Sequence, residues 1–391
     1  MSTINYTTLA EALCDTPDPR SERGRSYEWE YLLLVIAAAM LTGEKTLKGI
    51  SQWVIAQGQE LKAILKPKKQ RVPSLATIRR TLCNVSVDML EGVLTRYQRM
   101  LEQESGDAGV IVTRQGEILH GQSLDGKTVC GASTHGKLVH LTSLVRHESG
   151  LVFDQIQTTV KLHERRAAEI LLGRTALKGT VTTMDALHTS LKQARQIRQG
   201  GGEYILVVKR NQRTLYEDIE AAFTALPPKG TCEQEFWDYA STTVNRRGHG
   251  RTDTYFIEST TALNRYLEFP DTGQVIRRTR RSLDHHTKQL AVSVEYLITT
   301  LDRTRVSLEQ IEQLRRWHWT IENVVHYPRD VSFGEDRCQV RSGNAPQAMA
   351  ALRNAIASLL RIEGWTSLPD GFRYCSRSLQ TTLHLMGISA T

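Results

Sequence analysis

Three acidic residues stand where an isolated carboxylate would be costly. Asp125 lies in Ser123-Leu-Asp-Gly-Lys-Thr128, Asp185 in Thr183-Met-Asp-Ala186 and Glu322 in Trp319-Thr-Ile-Glu-Asn323, each inside or at the edge of an otherwise apolar segment. A charge in such a place needs a cation. Three carboxylates brought together repel one another unless divalent ions neutralise them, and hard oxygen ligands without cysteine favour Mg2+ or Mn2+ over zinc. Two such ions about 3.5–4 Å apart activate an attacking oxygen and stabilise a leaving one in phosphodiester chemistry. Taken singly, each Asp reads first as a turn or cap residue. The chemical reading belongs to the trio.

Around these acids stand residues with more than one reading. His318, Glu322 and His326 fall at i, i+4 and i+8 on one helical face, the spacing of a zinc site, but no third strong ligand lies nearby. Lys127, two residues after Asp125, and Lys209, at the end of an apolar run, are phosphate-contact candidates or simply surface charges. Asp330, Glu335 and Asp336 either support the acids or pair with Arg337 and Arg341.

The elements that must position the acids follow from the periodicity. Ile118 to Val129, Leu138 to Arg146 and Leu151 to Val160 read as a three-stranded antiparallel meander. A helix at His163 to Gly173, a strand at Thr180 to Met184, a helix at Ser190 to Gln199 and a strand at Tyr204 to Lys209 complete a βββαβαβ order. That is the order of an RNase H-like sheet, in which the first strand, the strand that joins beside it and a late helix converge at one edge. The fold class expected is α+β or α/β, an RNase H-like core with an N-terminal helical domain and a β-rich insertion before the last acid. The expected domains are a helical, DNA-binding domain at 1–101, a polar linker at 102–117, the first part of the core at 118–229, the insertion at 230–300, and the second part of the core with C-terminal helices at 301–391.

In the helical domain a helix is expected from Tyr27 to Leu41 with Ser26 as its cap, a second around Leu47 to Leu65, and a third from Leu75 to Leu82 capped by Ser74. The third carries Arg79 and Arg80 and follows the basic stretch Lys66-Pro-Lys-Lys-Gln-Arg71. This reads either as a helix-turn-helix-like DNA reader or as a small bundle with a solvated basic face. A late helix is expected to run from Ser307 to about Tyr327, where Pro328 ends it.

The 391 residues carry a net charge of +8, and the excess sits mainly in 118–209, with 12 basic and 7 acidic residues. A polyanionic partner fits that distribution. Six scattered cysteines without a C-x-x-C pair exclude a disulfide framework and suit a reducing cytoplasm. The longest apolar run, Leu32 to Leu41, is about half a membrane span, so no membrane role is expected.

Several passages together resemble the ISAs-type insertion-sequence transposases, also called H-repeat-associated proteins, within the bacterial DDE transposases. They are Val72-Pro-Ser-Leu-Ala-Thr-Ile-Arg-Arg80, Leu124-Asp-Gly-Lys-Thr128, Thr183-Met-Asp-Ala186, Leu206-Val-Val-Lys-Arg-Asn-Gln212, Gly248-His-Gly-Arg251, and Trp317-His-Trp-Thr-Ile-Glu-Asn323 running on to Asp330-Val-Ser-Phe-Gly-Glu-Asp336. The resemblance implies a DDE triad at Asp125, Asp185 and Glu322 that binds Mg2+ or Mn2+. It implies binding of terminal inverted repeats and target DNA, strand cleavage and strand transfer, a homodimer in the synaptic complex, and a cytoplasmic, nucleoid-associated location. It also implies phosphate contacts at His318, one turn before the Glu, and at Arg329, seven residues after it. The alternatives are an inactivated or domesticated DNA-binding descendant and an RNase H-like nuclease.

Overall fold

The computed structural model describes all residues except 1–5, 24, 105–108, 135–136, 148–149, 159–163, 225–237, 249, 320, 336–337, 339 and 390–391. Six helices come first: α1 (Leu9–Cys14), α2 (Trp29–Leu41), α3 (Leu47–Ala56), α4 (Gly58–Leu65), α5 (Leu75–Asn84) and α6 (Val87–Glu104). Strands β1 (Val110–Val112), β2 (Ile118–Thr134), β3 (Lys137–Arg146) and β4 (Val152–Thr158) follow. Then come α7 (Glu164–Arg174), β5 (Thr180–Met184), α8 (Leu191–Gln199), β6 (Glu203–Val208) and α9 (Arg213–Thr224). Strands β7 (Tyr239–Gly248), β8 (Arg251–Thr260), β9 (Gln274–Asp284) and β10 (Leu290–Thr299) lead to α10 (Leu308–Trp317). A π-helical turn, Ile321–His326, precedes α11 (Tyr327–Val331), α12 (Ala345–Ile362), α13 (Leu368–Ser376) and α14 (Leu379–Leu385). The chain divides into a helical unit (Met1–Ala108, Gly126–Glu164, Ile321–Thr391) and a sheet unit (Gly109–Asp125, Arg165–Thr320).

The helical unit is built around α2. Twelve of its residues, Trp29 and Tyr31 through Leu41, are buried, so the helix is apolar on all sides and must be wrapped. α1, α3, α5 and α6 from the N-terminal segment and α12, α13 and α14 from the C-terminal segment supply the wrapping through one continuous core. The expected helical segment 1–101 therefore shares its apolar interior with the last helices of the chain. In the same unit β3 and β4 pair antiparallel, and β3 lies beside β2.

In the sheet unit the first half of β2 pairs in parallel with β5, and β5 in parallel with β6. The expected β-rich insertion forms an antiparallel run, β7-β8-β9-β10, and β10 adds to the core by pairing antiparallel with β6. A second core fills this unit, from Leu119, Val181, Ile205 and Val207 on the strands to Ile311, Leu314 and Trp317 on α10. The strand sequence and pairings are those of an RNase H-like core, a large mixed sheet with N-terminal helices.

Several local expectations are corrected. Glu28 rather than Ser26 occupies the N-cap of α2, and it makes no side-chain cap bond. The single helix expected at Leu47 to Leu65 breaks at Gln57 into α3 and α4. The expected linker contains β1, because Val110–Val112 pairs with Ile118–His120 around a turn at Gly116, whose φ of 81° suits glycine. Pro328 starts a helix instead of ending one: it sits in the first turn of α11, where a missing N–H costs nothing. Ser74 caps α5 as expected, accepting a bond from the Thr77 N–H. Among the described residues no helix is long and apolar enough to cross a membrane.

Candidate active site

Leu124 and Met184 face each other at the last parallel rung of β2 and β5. The residues that follow are Asp125, midway along β2 where its parallel pairing ends, and Asp185, just past the carboxyl end of β5, the kind of edge at which open α/β sheets gather ligands. Sequence reasoning put Asp125 on the first strand and Asp185 at the carboxyl end of the strand at 180–184, and the register is what brings the two strands together.

Asp185 is surrounded by basic side chains. His318, just past the end of α10, holds Nε2 3.5 Å from Asp185 Oδ1, and its Nδ1 lies 2.9 Å from Thr183 Oγ1. Arg315 on α10 puts Nη2 3.4 Å from the same oxygen, and exposed Lys209 lies 4.0 Å from Oδ2. Burial alone would push the Asp185 carboxyl up, but the His318 hydrogen bond and the charges of His318, Arg315 and Lys209 outweigh it and hold the group well below the usual carboxylate range. Asp185 is therefore ionised at any physiological pH.

Arg315 is only 1% exposed, and a buried guanidinium must itself be paired. Glu295 of β10 does this with a two-pronged contact at 2.9 and 2.7 Å. Arg278 of β9 lies 3.5 Å from Glu295 and pairs with Glu312 of α10 at 2.6 and 3.0 Å. A line of buried ion pairs thus ties the inserted strands to the Asp185 carboxylate.

The loop after Asp185 is braced from the end of β6. Asn211 donates to Ala186 O and Gln212 to Thr189 O, each at 2.9 Å, while the Thr189 hydroxyl donates to Val207 O at 2.8 Å. His188 is fully buried in this loop, and both of its ring nitrogens lack a partner. Burial lowers its pKa, against the pull of Asp125 and Asp185, so the ring is neutral at pH 7.

Glu322 belongs to the helical unit, on the π-helical turn. Its Oε2 lies 3.1 Å from His326 Nδ1. That hydrogen bond is the largest influence and lowers its pKa, with partial burial opposing and Lys127 assisting. Lys127 itself reaches both oxygens of Asp330 at 2.6 Å. Arg329 is buried, with Nε and Nη2 at 2.9 and 2.7 Å from Glu335, which also takes Arg353 at 2.9 Å. Asp336 lies outside the described residues. Arg79 donates to Ser342 Oγ at 3.1 Å, whereas Arg80, a hundred degrees further round α5, is exposed.

The donor set fits a hard divalent cation: Asp125 and Asp185 offer oxygens, and Asp185 is held ionised as a ligand must be. The zinc reading loses His318, whose two nitrogens face Thr183 and Asp185. His318 and Arg329, expected to reach phosphate, are both buried on internal acids. Sequence reasoning missed Arg315, Glu295 and His188. An arginine on the apolar stripe Leu308, Ile311, Leu314 was the available signal for Arg315. Nothing local marks Glu295, because its partner comes from a distant helix.

The family described as Transposase DDE domain matches residues 118–360, and the family described as DDE_Tnp_1-associated matches 10–98. YncI of Escherichia coli O157:H7, provisionally named a transposase, is 24% identical over 369 residues, covering 92% of this chain and 88% of that protein. YhhI of Escherichia coli K12, an H repeat-associated protein also provisionally named a transposase, is 25% identical over 361 residues, covering 90% of each. A cryo-EM structure of a piggyBac transposase synaptic complex with hairpin DNA aligns with 99% of this chain and 78% of that one, at a TM-score of 0.46 and 11% identity.

Proposed function

The chain belongs to the Transposase DDE domain family, and from that premise we propose that it binds the ends of an insertion sequence, cleaves them and joins them to target DNA. The observation that carries this reading is the register of β2 against β5, in which Asp125 and Asp185 are the residues that follow the last parallel rung. Asp125, Asp185 and Glu322 are the three acids that would hold Mg2+ or Mn2+. When bound, such ions lower the pKa of an attacking hydroxyl and neutralise charge that develops on the phosphate.

The remaining work falls to the protein. Arg315 and His318 hold the Asp185 carboxylate ionised and in one orientation, and Asn211 with Gln212 fixes the loop that carries it. Lys209, exposed beside Asp185, contacts a backbone phosphate of the strand being cut. Lys127, held by Asp330, supports the approach of the same strand near Asp125. In the first step water attacks the phosphorus at the element end, the P–O3′ bond breaks and a 3′-hydroxyl leaves. In the second that hydroxyl attacks a target phosphodiester, and the displaced target 3′-oxygen takes up the proton. Arg80 contacts end DNA, with Arg79 at its flank on Ser342, and a homodimer brings two ends together.

The test is an assay of the full chain with Mg2+ and duplex carrying the DNA that flanks its gene. Joined product supports the transposase. Cutting without joining points to the nuclease reading, and retention without cutting to a DNA-binding descendant.

A further inference from the structure

A cleft of about 400 Å³ opens in the helical unit between the loop before α2, the segment after α4 and one face of α5. Its walls are strongly basic. Arg23, Lys69, Arg71 and Arg80 all line it, all are exposed, and none makes an ion pair or a side-chain hydrogen bond among the described residues. Three of these come from segments 40 or more residues apart in sequence from Arg23, so the gathering is a product of the fold.

The frame around them is, by contrast, fully tied. Asp18 takes Arg20 at 2.8 Å and Arg25 at 3.4 Å. Arg20 also donates to Tyr27 O at 3.0 Å and stacks over the Trp29 ring, 5.1 Å from its centroid. Trp29, 3% exposed, lines the same cleft, and its indole N–H is buried with no acceptor. Four exposed cations in one concavity concentrate positive potential there, and together with the unsatisfied indole donor they suit an anion.

We propose that this cleft seats the sugar–phosphate backbone of the element-end duplex, with Arg23, Lys69, Arg71 and Arg80 as its phosphate contacts. The inference rests on the DNA-joining function proposed above and says where the end is gripped. A backbone segment suits four side chains spread along an open cleft better than one compact anion does, because successive phosphates present separate charges. It also divides the two neighbouring arginines of α5. Arg80 faces the cleft, whereas Arg79 turns to Ser342.

The experiment measures binding of the full chain to an end-containing duplex by fluorescence anisotropy across a salt titration. The variant Arg23→Ala/Lys69→Ala/Arg71→Ala/Arg80→Ala is compared with a control of equal charge change outside the cleft, Lys178→Ala/Arg195→Ala/Arg265→Ala/Lys288→Ala. The cleft variant is expected to lose at least about tenfold in affinity near physiological salt and about 3 to 4 from the slope of log K against log salt, at roughly 0.9 per phosphate contact. The control is expected to change both far less. Arg23→Glu alone, on an exposed loop, repeats the test should the fourfold variant melt early.

Parent-like affinity and slope in a cleft variant of unchanged Tm would overturn the inference. So would saturation of the cleft by inorganic phosphate without competition by duplex, which would mark it as a small-anion site. If the parent cleaves and joins DNA while the cleft variant binds normally, only this inference fails. If the parent neither binds nor cuts duplex, the proposed function fails first.

Discussion

Asp185 shows how an acid can be kept ready for a cation. His318 and Arg315 hold it ionised in one orientation, and Glu295 in turn fixes Arg315. Asp125→Asn and Asp185→Asn are each expected to weaken Mn2+ binding at least about tenfold in calorimetry while leaving the melting temperature within a few degrees, because each removes a ligand charge at nearly constant shape. Arg315→Met is expected to act differently. It leaves Glu295 buried with only Arg278 at 3.5 Å, so stability should fall by about 3–5 kcal/mol in urea titrations, and surviving protein should lose turnover more than DNA affinity. The acids were legible in the sequence because a carboxylate inside or at the edge of an apolar segment is conspicuous. Arg315 was half legible, as a charge on an apolar stripe. Glu295 and His188 were not, since what makes them matter is a neighbour from another segment. The same holds for Arg23, whose place beside Lys69, Arg71 and Arg80 comes from the fold.

Elements position the chemistry through tight local contacts. Gly150, between β3 and β4, has a φ of 64°, and a Cβ there would lie 2.2 Å from Val324 Cγ1, two residues along the turn from Glu322. Gly150→Ala is therefore expected to destabilise the chain by about 1–3 kcal/mol. Adding Val324→Ala should recover the part due to the clash but not the part due to the backbone, which paired denaturation curves can separate. The meander, β5, β6 and their helices were readable from period-two and helical patterning. Less readable was the extent of the helix before Pro328. Proline was taken as a stop because it lacks an N–H, yet the π-helical turn that precedes it shifts the register and leaves it at the start of α11. Nor did local pattern reveal that the inserted strands add to the core sheet through β10, since strand pairing at that distance depends on tertiary packing.

At the scale of the whole molecule, charge is arranged for two purposes. Buried pairs such as Arg329 and Arg353 on Glu335 serve the fold. Burial pushes the Glu335 carboxyl up, but the two guanidiniums outweigh it and lower its pKa. Its contribution to stability is then complete above the ordinary glutamate range and is lost as pH falls through the lowered folded value. Glu335→Gln is expected to cost about 3–5 kcal/mol at pH 7 and to flatten the acid limb of a stability profile followed by circular dichroism. Exposed cations, part of a net charge of +8, serve the partner in the proposed function, and the segmental excess in the sequence pointed to a polyanion without locating the cleft. The central claim is that Asp125, Asp185 and Glu322 carry metal-dependent phosphodiester chemistry on DNA. Its most direct measurement follows cleavage and joining of an end-containing duplex by the full chain in Mg2+, beside Asp185→Asn with end binding recorded in the same samples. The parent should release a 3′-hydroxyl and yield joined product, and Asp185→Asn should bind within about twofold but cut more than about a thousandfold more slowly. Cutting by the variant at a rate close to the parent's would contradict the account.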